Sequence, residues 1–181
     1  EFIYKGRIIT IQVDEVLLPN GKTSNREIVK HPGAVAIIAI TEDKKIILVE
    51  QYRKALERSI IEIPAGKMET GESPVETALR ELEEETGYTT NNLQYLQSFA
   101  TSPGFADEVI HLYLAEHIVE MMKKPPLDED EFVEIMQVSI DEMEALIVDN
   151  QVYDAKTAFA FLWLKAYLKE GDLQPAVVCL L

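Results

Sequence analysis

Three glutamates spaced at i, i+3 and i+4 are the residues of this chain whose pattern most directly indicates chemistry. Glu81, Glu84 and Glu85 would place their carboxylates on one face of a helix. Like charges that close repel one another, so the arrangement weakens a helix unless a positive group lies among them. Clustered carboxylate oxygens suit Mg²⁺ or Mn²⁺, and the adjacent Arg80 could orient one glutamate through a bidentate contact. The pattern indicates a divalent-cation site, with a solvated acidic helix face as the alternative interpretation.

The residues on either side of the glutamates predict the helix that must position them. Ser73 is suited to cap its start, Pro74 to occupy the first helical position, and Glu76 to complete a capping box with Ser73. Gly87 predicts a helix end in the left-handed conformation. The helix is therefore expected to span about 74–86 and to bury an apolar stripe formed by Val75, Ala78, Leu79, Leu82 and Thr86.

The whole stretch from Gly66 to Tyr88 follows a longer pattern, G-x5-E-x7-R-E-U-x-E-E-x-G-U, in which U is a bulky apolar residue. This order resembles a complete Nudix box, and only Tyr88 departs mildly from it, because an aliphatic residue is more usual there. The resemblance covers about 26–170. It implies an α+β fold, a Nudix-type α/β/α sandwich of a mixed sheet with helices. It also implies hydrolysis of a nucleoside diphosphate linked to another moiety, with Mg²⁺ as cofactor and Mn²⁺ as the alternative.

The same resemblance assigns roles to residues inside and outside the box. It implies that the carbonyl of Ala65 and the carboxylates of Glu81 and Glu85 bind metal, with Glu84 as the next candidate ligand, and that Glu84 and Arg80 belong to the catalytic group. An acidic stretch at 127–134 resembles the mobile loop of ADP-ribose pyrophosphatases, although a solvated turn would have the same composition. Aligned on the following strand, this loop supplies Glu129 as the base that activates water and Glu131 as a metal ligand; Asp130 is the alternative if the register differs.

A proline fifteen residues after Tyr88 indicates which branch of the family this chain resembles. Pro103, within Ser102-Pro103-Gly104, resembles the marker of the ADP-ribose pyrophosphatase branch, although Pro-Gly also makes a turn on its own. The implied reaction converts ADP-ribose to AMP and ribose 5-phosphate. Residues expected to contact the substrate are Arg26, Glu27, Arg53, Lys67, Ser102, Pro103, Gly104 and Glu108. For Arg26 and Arg53, a surface ion pair is the alternative interpretation. The alternatives are another nucleoside diphosphate derivative, such as NADH, FAD or a sugar nucleotide, and a module that binds ADP-ribose without cleaving it.

Size and charge restrict the remaining possibilities. A chain of 181 residues can bury the core of one domain, and its formal charge of −15 argues against nonspecific binding of nucleic acid. No apolar run approaches the roughly 20 residues of a membrane span, and Cys179 is the single cysteine, so a cytoplasmic protein without disulfides is expected. His31, His111 and His117 lack metal-ligand spacing and are interpreted as structural.

The start of the chain predicts a separate antiparallel unit. Residues 2–18 are predicted to form a strand, and Pro19-Asn20-Gly21-Lys22 is a strong hairpin signal before a returning strand at 26–30. We expect residues 1–31 to form a small β appendage and 32–181 the catalytic domain. In ADP-ribose pyrophosphatases such an appendage is exchanged across a homodimer, which the resemblance therefore implies here. Phe2 and Tyr4 are the candidates for stacking on adenine.

Overall fold

The computed structural model describes residues 1–126 and 132–169. Twelve strands, three α-helices and one π-helical segment lie within this part of the chain. The strands are β1 (Phe2–Lys5), β2 (Thr10–Leu17), β3 (Thr23–Lys30), β4 (Ala34–Ile40), β5 (Ile46–Arg53), β6 (Arg58–Glu62), β7 (Ala65–Lys67), β8 (Tyr88–Thr89), β9 (Asn92–Ala100), β10 (Val109–Glu116), β11 (Val119–Glu120) and β12 (Val133–Val138). The helices are α1 (Pro74–Glu81), the π-helical segment (Leu82–Thr86), α2 (Ile140–Val148) and α3 (Ala155–Lys169).

A mixed seven-stranded sheet forms the centre of the molecule. Its main path runs β12-β5-β4-β10-β9, with β6 paired to β5 and β7 paired to β4. Only the β4–β10 pair is parallel; the other pairs are antiparallel. Strand β7 lies against the first half of β4, with Ala65 opposite Ala36. The residues that follow β7 therefore enter α1 from the middle of the sheet.

Strand β4 is buried on both faces, as its unbroken apolar sequence predicts. Val35, Ile37 and Ala39 pack on the side of α1, together with Ala78 and Leu82. The alternate residues of β4 face a second cluster, to which Met143 of α2 and Ala160 and Leu164 of α3 contribute. Helices thus cover both faces of the mixed sheet, and the predicted α/β/α sandwich is confirmed.

The N-terminal residues form a separate three-stranded antiparallel sheet in the order β1-β2-β3. The predicted hairpin is present: Leu18 N–H donates to the Lys22 carbonyl at 2.7 Å, and Gly21 has φ of 79°. The first predicted strand is divided, because the chain reverses between β1 and β2 so that β1 can pair back on β2. A bridge from Val29 to Ala106 attaches the end of β3 to the loop before β10.

The predicted start and end of the glutamate helix are confirmed, but one part of its predicted apolar stripe is wrong. Glu76 Oε2 accepts from Ser73 N–H at 2.9 Å, and Gly87 ends the segment with φ of 73°. Val75 is 46% exposed, whereas Thr77 is fully buried. Thr77 is accommodated because its hydroxyl donates to Glu72 Oε2 at 2.9 Å. A hydroxyl satisfied by a nearby acceptor can enter a core that a purely apolar pattern would assign to its neighbour.

No helix among the described residues has the length and apolar character needed to cross a membrane.

Leu82 is the apolar side chain that joins the glutamate helix to the sheet, so its truncation is expected to destabilise the fold. It is fully buried within the cluster on the α1 side of β4. Leu82→Ala should lower the free energy of unfolding by about 2–5 kcal/mol, the usual cost of removing a buried leucine. Urea denaturation measures this. Val75→Ala on the same helix is the control and should change stability by less than about 0.5 kcal/mol; equal losses would contradict the assignment of faces.

Candidate active site

Arg80 holds three glutamates together at the end of α1. Its Nε and Nη2 donate to the two oxygens of Glu72, each at 2.9 Å. Its Nη1 donates to Glu81 Oε1 at 2.8 Å and to Glu84 Oε2 at 2.9 Å. The contact with Glu72 is therefore a bidentate fork, and the remaining edge of the guanidinium bridges two helix carboxylates. This explains how like charges at such close spacing are tolerated.

Gly66 allows the Glu81 carboxylate to lie directly against the main chain of β7. A Cβ placed on Gly66 would stand only 1.9 Å from Glu81 Cδ and 2.0 Å from its Oε1. No rotamer change of a neighbouring residue would relieve this overlap while Glu81 stays where it is. The glycine at the start of the box is therefore required by close approach, because Gly66 is not among the positive-φ glycines.

Glu85 meets the same strand one residue earlier. Its Oε2 accepts from the Ala65 N–H at 2.9 Å, across 20 residues of sequence. Glu81 and Glu85 are almost completely buried, with 7% and 3% of their surfaces exposed. Buried carboxylates are uncommon unless they are paired or bind metal. Two such side chains converge on the Ala65–Gly66 segment.

These residues fit a divalent cation by the chemistry of their donors. Glu81 and Glu85 offer hard carboxylate oxygens beside the main chain of Ala65 and Gly66, and the missing side chain of Gly66 makes room for the Glu81 carboxylate. No group of three or more His, Cys, Asp or Glu side chains in the described part of the chain is arranged as a complete metal cage. Mg²⁺ usually binds through only one or two carboxylates and keeps several waters, so two carboxylates are enough for it.

The glutamates lie where α1 widens into the π-helical segment, which sequence patterning does not predict. Thr86 Oγ1 donates to the Leu82 carbonyl within this segment, and Lys124 Nζ donates to the Glu85 carbonyl at 2.8 Å. A π-helical turn changes the angular spacing of successive side chains and often occurs at functional sites. Glu83 faces a different neighbour, since its Oε1 accepts from Thr89 Oγ1 at 2.6 Å.

The charges around Arg80 shift its own pKa and that of Glu72. Hydrogen bonding to Arg80 is the largest cause that lowers the pKa of Glu72, to about 2, and burial opposes it only in part. The pKa of Arg80 is raised, chiefly by its hydrogen bonds to Glu72. Both groups are therefore charged throughout the pH range in which proteins normally function, and the fork between them is permanent.

A pocket of about 460 Å³ opens beside Ala65 and Gly66. Four of the predicted substrate-binding residues line it: Arg53, Lys67, Ser102 and Glu108. Their roles stay predictions, but residues from three separate segments of the sequence, the ends of β5 and β7 and the β9–β10 connection, meet in one place. The other lining residues are His31, Ala34, Val35, Ala65, Gly66, Thr101, Ile110, Asp154, Ala155 and Lys156.

Sequence reasoning missed the contribution of the start of α3 to this pocket. Lys156 forms an ion pair with Glu62 and donates to Asp154 Oδ2 at 2.8 Å. Arg53 Nε donates to the other oxygen of Glu62 at 2.6 Å. Burial alone would lower the pKa of Arg53, but the hydrogen bond and charge of Glu62 raise it. Lys156 is 94 residues from Glu62, so no local spacing signals the pair.

His31 also lines the pocket, although the sequence suggested only a structural role. Its Nδ1 accepts from the Gly33 N–H at 3.1 Å, and Glu108 Oε1 lies 3.6 Å from the same nitrogen. Thr101 Oγ1 donates to Glu108 Oε2 at 2.5 Å. Glu108 is thus held at the pocket by its hydrogen bond from Thr101, and His31 both lines the pocket and accepts a hydrogen bond in the turn into β4.

The remaining predicted site residues lie elsewhere or outside the described residues. Arg26 and Glu27 are exposed on β3 and do not line the pocket; Arg26 Nη1 donates to Ser24 Oγ at 2.9 Å. Pro103 and Gly104 form the turn after Ser102, whose carbonyl accepts from Ala106 N–H at 2.8 Å. Glu129, Asp130 and Glu131 fall outside the described residues, so their predicted roles stay predictions.

Comparison with known proteins identifies relatives of the whole chain. The NUDIX domain model matches residues 30–159, and the model of the nucleoside diphosphate sugar hydrolase N-terminal domain matches residues 1–29. The chain is 57% identical over 171 residues to an ADP-ribose pyrophosphatase of Bacillus subtilis (strain 168), covering 94% of this chain and 91% of that protein. It is 58% identical over 165 residues to a methanol dehydrogenase activator of Bacillus methanolicus, covering 91% and 89%.

A solved structure shares the fold. The crystal structure of an ADP compounds hydrolase superposes with a TM-score of 0.82 at 24% identity, covering 96% of this chain and 94% of that one. At this identity the likeness concerns the fold alone. It extends over the N-terminal sheet as well as the sandwich.

The low pKa of Glu72 predicts a specific acid dependence of stability. A carboxyl whose pKa is lowered by folding stabilises the native state above its unfolded pKa of about 4.3, and this contribution is lost as the pH falls toward about 2. At pH 7, Glu72→Gln should therefore reduce the free energy of unfolding by on the order of 1–2 kcal/mol, allowing for solvent screening. Urea denaturation from pH 7 to pH 2 should show the difference from wild type disappearing. The neighbouring exposed Glu69→Gln is the control; a difference for Glu72→Gln that is constant with pH would contradict the assignment.

Proposed function

The chain belongs to the NUDIX domain family, and we propose that it hydrolyses the pyrophosphate bond of ADP-ribose to AMP and ribose 5-phosphate. The observation that carries this proposal is the meeting of Glu81 and Glu85 with the Ala65–Gly66 segment at the edge of a pocket lined by Arg53 and Lys67. Carboxylates for a hard cation and fixed cations for phosphate are then neighbours. The relative named ADP-ribose pyrophosphatase supports the choice of substrate.

Mg²⁺ is the proposed cofactor, bound by Glu81, Glu85 and the Ala65 carbonyl, with Glu131 as a further ligand. When bound, a divalent cation neutralises phosphate oxygens and lowers the pKa of a coordinated water. Arg80 orients Glu81 through its hydrogen bond to that carboxylate. Glu84 accepts a hydrogen bond from the same Nη1 of Arg80, so it helps to hold Arg80 in place and does not act as a free base. Glu129 is the proposed base that takes the proton from the attacking water.

The pocket residues orient the substrate for cleavage. Arg53 and Lys67 would bind phosphate oxygens, and the Glu108 carboxylate, fixed by Thr101, would accept a hydrogen bond from a ribose hydroxyl. Ser102, Pro103 and Gly104 form the turn that brings this part of the chain to the pocket. Binding both halves of the substrate fixes its pyrophosphate group, so that water approaches one phosphorus in a defined geometry.

We also propose that two copies assemble through the N-terminal sheet. Strand β1 exposes Phe2, Ile3 and Tyr4, an unusual density of large apolar side chains on a free surface. Arg26 and Glu27 lie on the same sheet and not at the pocket of their own chain. In an exchanged dimer, Arg26 and Glu27 would reach the partner's pocket and contact the adenine end of the substrate bound there. The appendage at 1–31 and the domain at 32–181 are then units of one assembly.

A second candidate function is supported by one relative. The chain is as similar to a protein named methanol dehydrogenase activator as it is to the ADP-ribose pyrophosphatase. The same site could therefore act on a nucleotide presented by another enzyme. NADH, FAD and sugar nucleotides remain alternative free substrates, and a binding module without turnover is a third possibility.

A substrate panel tests the proposed function. The purified chain with MgCl₂ is incubated with ADP-ribose, NADH, FAD or GDP-mannose, and products are separated by anion-exchange chromatography. We expect AMP and ribose 5-phosphate from ADP-ribose, the highest kcat/KM for that substrate, and no turnover with EDTA. Binding of ADP-ribose without products would favour the binding module. A higher kcat/KM on another substrate of the panel would favour that substrate. No turnover in the panel, together with an increased rate of methanol dehydrogenase when the chain is added to that enzyme, would favour the second candidate function.

Glu85→Gln is expected to abolish most of the activity while leaving the fold intact. The substitution keeps the shape of a side chain that is 3% exposed, but removes the charge proposed to bind the cation. Turnover of ADP-ribose should fall by at least about 100-fold, the scale of losing one preorganised electrostatic contact at a reacting centre. Circular dichroism checks the fold, and calorimetry with Mg²⁺ checks cation binding.

Glu83→Gln provides the matched control for this experiment. It changes a glutamate in the same π-helical segment whose carboxylate accepts from Thr89 Oγ1, away from Ala65. Its turnover should stay within about threefold of wild type, since surface substitutions away from a site change free energies little. Near-normal turnover by Glu85→Gln would remove that residue from the proposed metal site.

A further inference from the structure

A buried carboxylate beneath the pocket joins two cations from distant parts of the chain. Glu62, at the end of β6, is only 3% exposed. Arg53 reaches it from the end of β5, and Lys156 from the first turn of α3. Arg53 and Lys156 both line the pocket beside Ala65 and Gly66. A charged side chain this buried requires partners for both of its oxygens.

Each oxygen of Glu62 has its own cationic partner. Oε2 accepts from Arg53 Nε at 2.6 Å, and Oε1 is paired with Lys156 Nζ. Lys156 is itself fixed, because its ammonium also donates to Asp154 Oδ2 at 2.8 Å and its side chain is 10% exposed. The lysine is therefore held between two carboxylates and does not extend into solvent.

Because Glu62 is shared between two cations, only one nitrogen of Arg53 is bound to it. Arg53 binds Glu62 through Nε, and no described residue accepts a hydrogen bond from its two terminal nitrogens. Its side chain is 40% exposed, compared with 4% for that of Glu62. An arginine beside a carboxylate normally tends to form a two-pronged fork. Here the second oxygen is already occupied, so the outer edge of the guanidinium is left for a ligand.

Removal of the lysine would change this balance. Without Lys156, Oε1 of Glu62 would be a buried acceptor without its cation, which is costly. The guanidinium of Arg53 is the nearest donor that could satisfy both oxygens, by turning its outer nitrogens inward. It would then have fewer hydrogen-bond donors for the pocket, although its charge would stay in place.

We propose that Lys156 is a positioning residue which, by occupying one oxygen of Glu62, keeps the outer edge of Arg53 available to bind a phosphate group of the substrate. That the phosphate group belongs to a nucleoside diphosphate rests on the proposed function. The arrangement of Lys156, Glu62 and Arg53 is observed in the structure and does not depend on that function. Lys156 acts through Arg53 and need not touch the substrate. Asp154 supports it by holding the ammonium and accepting from Thr157 N–H at 3.2 Å in the first turn of α3.

Lys156→Met tests the proposal, because methionine keeps most of the length and removes the charge. With ADP-ribose and Mg²⁺, KM should rise about 10-fold or more, the scale of one hydrogen bond to a charged group, while kcat changes less than about threefold. The Kd for inorganic pyrophosphate, measured by calorimetry without turnover, should rise by a similar factor. Lys165→Met is the control on the same helix, since Lys165 pairs with Glu144 outside the pocket. Its KM and Kd should equal those of wild type.

The Arg53→Ala background separates positioning from direct contact. If Lys156 acts through Arg53, adding Lys156→Met to Arg53→Ala should leave KM and the pyrophosphate Kd unchanged. Lys156→Arg should keep KM and the pyrophosphate Kd close to the wild-type values, because it retains a cation for Oε1 of Glu62. The same variant tests the proposal if Lys156→Met does not fold. An unchanged Kd in Lys156→Met, or an equal further rise in the Arg53→Ala background, would overturn the proposal. A wild-type protein that binds pyrophosphate but does not cleave ADP-ribose would instead overturn the proposed function.

Discussion

Repulsion among carboxylates is the constraint around which this site is built. Glu72, Glu81 and Glu84 all lie within hydrogen-bond distance of one guanidinium, that of Arg80. A lysine could not replace it, because an ammonium has no planar fork with which to bind one carboxylate and bridge two others at once. The contact with Glu72 also connects the helix to the loop before it. One side chain therefore fixes the loop, the helix and the direction of two glutamates.

The site also requires a close approach of the helix to β7. This requirement follows from the way in which Arg80 fixes the glutamates. Once Arg80 fixes Glu81, the carboxylate must lie against the main chain, which only a glycine at position 66 allows. Leu82, the next residue of the same turn, is buried against β4 in the cluster that includes Val35 and Ile37. Chemistry and packing thus use adjacent residues of one helical turn.

The parts of the fold that depend on local signals could be predicted from the sequence. Ser73, Pro74 and Gly87 mark the ends of the glutamate helix, and the apolar run of β4 identifies the central strand, because caps and burial patterns act over a few residues. The exposure of Val75 and the π-helical segment could not be predicted, since both depend on hydrogen bonds that compete with periodicity. The Arg53–Glu62–Lys156 arrangement was also inaccessible, because it joins residues 94 apart whose pairing is set by the packing of α3 on the sheet.

An anionic substrate can bind to this acidic chain because of the way in which the cationic side chains of the pocket are held. The sequence has 32 Asp and Glu against 17 Lys and Arg, so its average field repels an anionic substrate. That field is screened over about 8–10 Å in physiological salt, whereas groups inside a pocket act at contact distance. Arg53 and Lys156 are each anchored by a buried or half-buried carboxylate, which fixes their direction without consuming every donor. Arg53 can therefore present the outer edge of its guanidinium to the pocket of a negatively charged protein, because Glu62 binds it from the buried side through Nε.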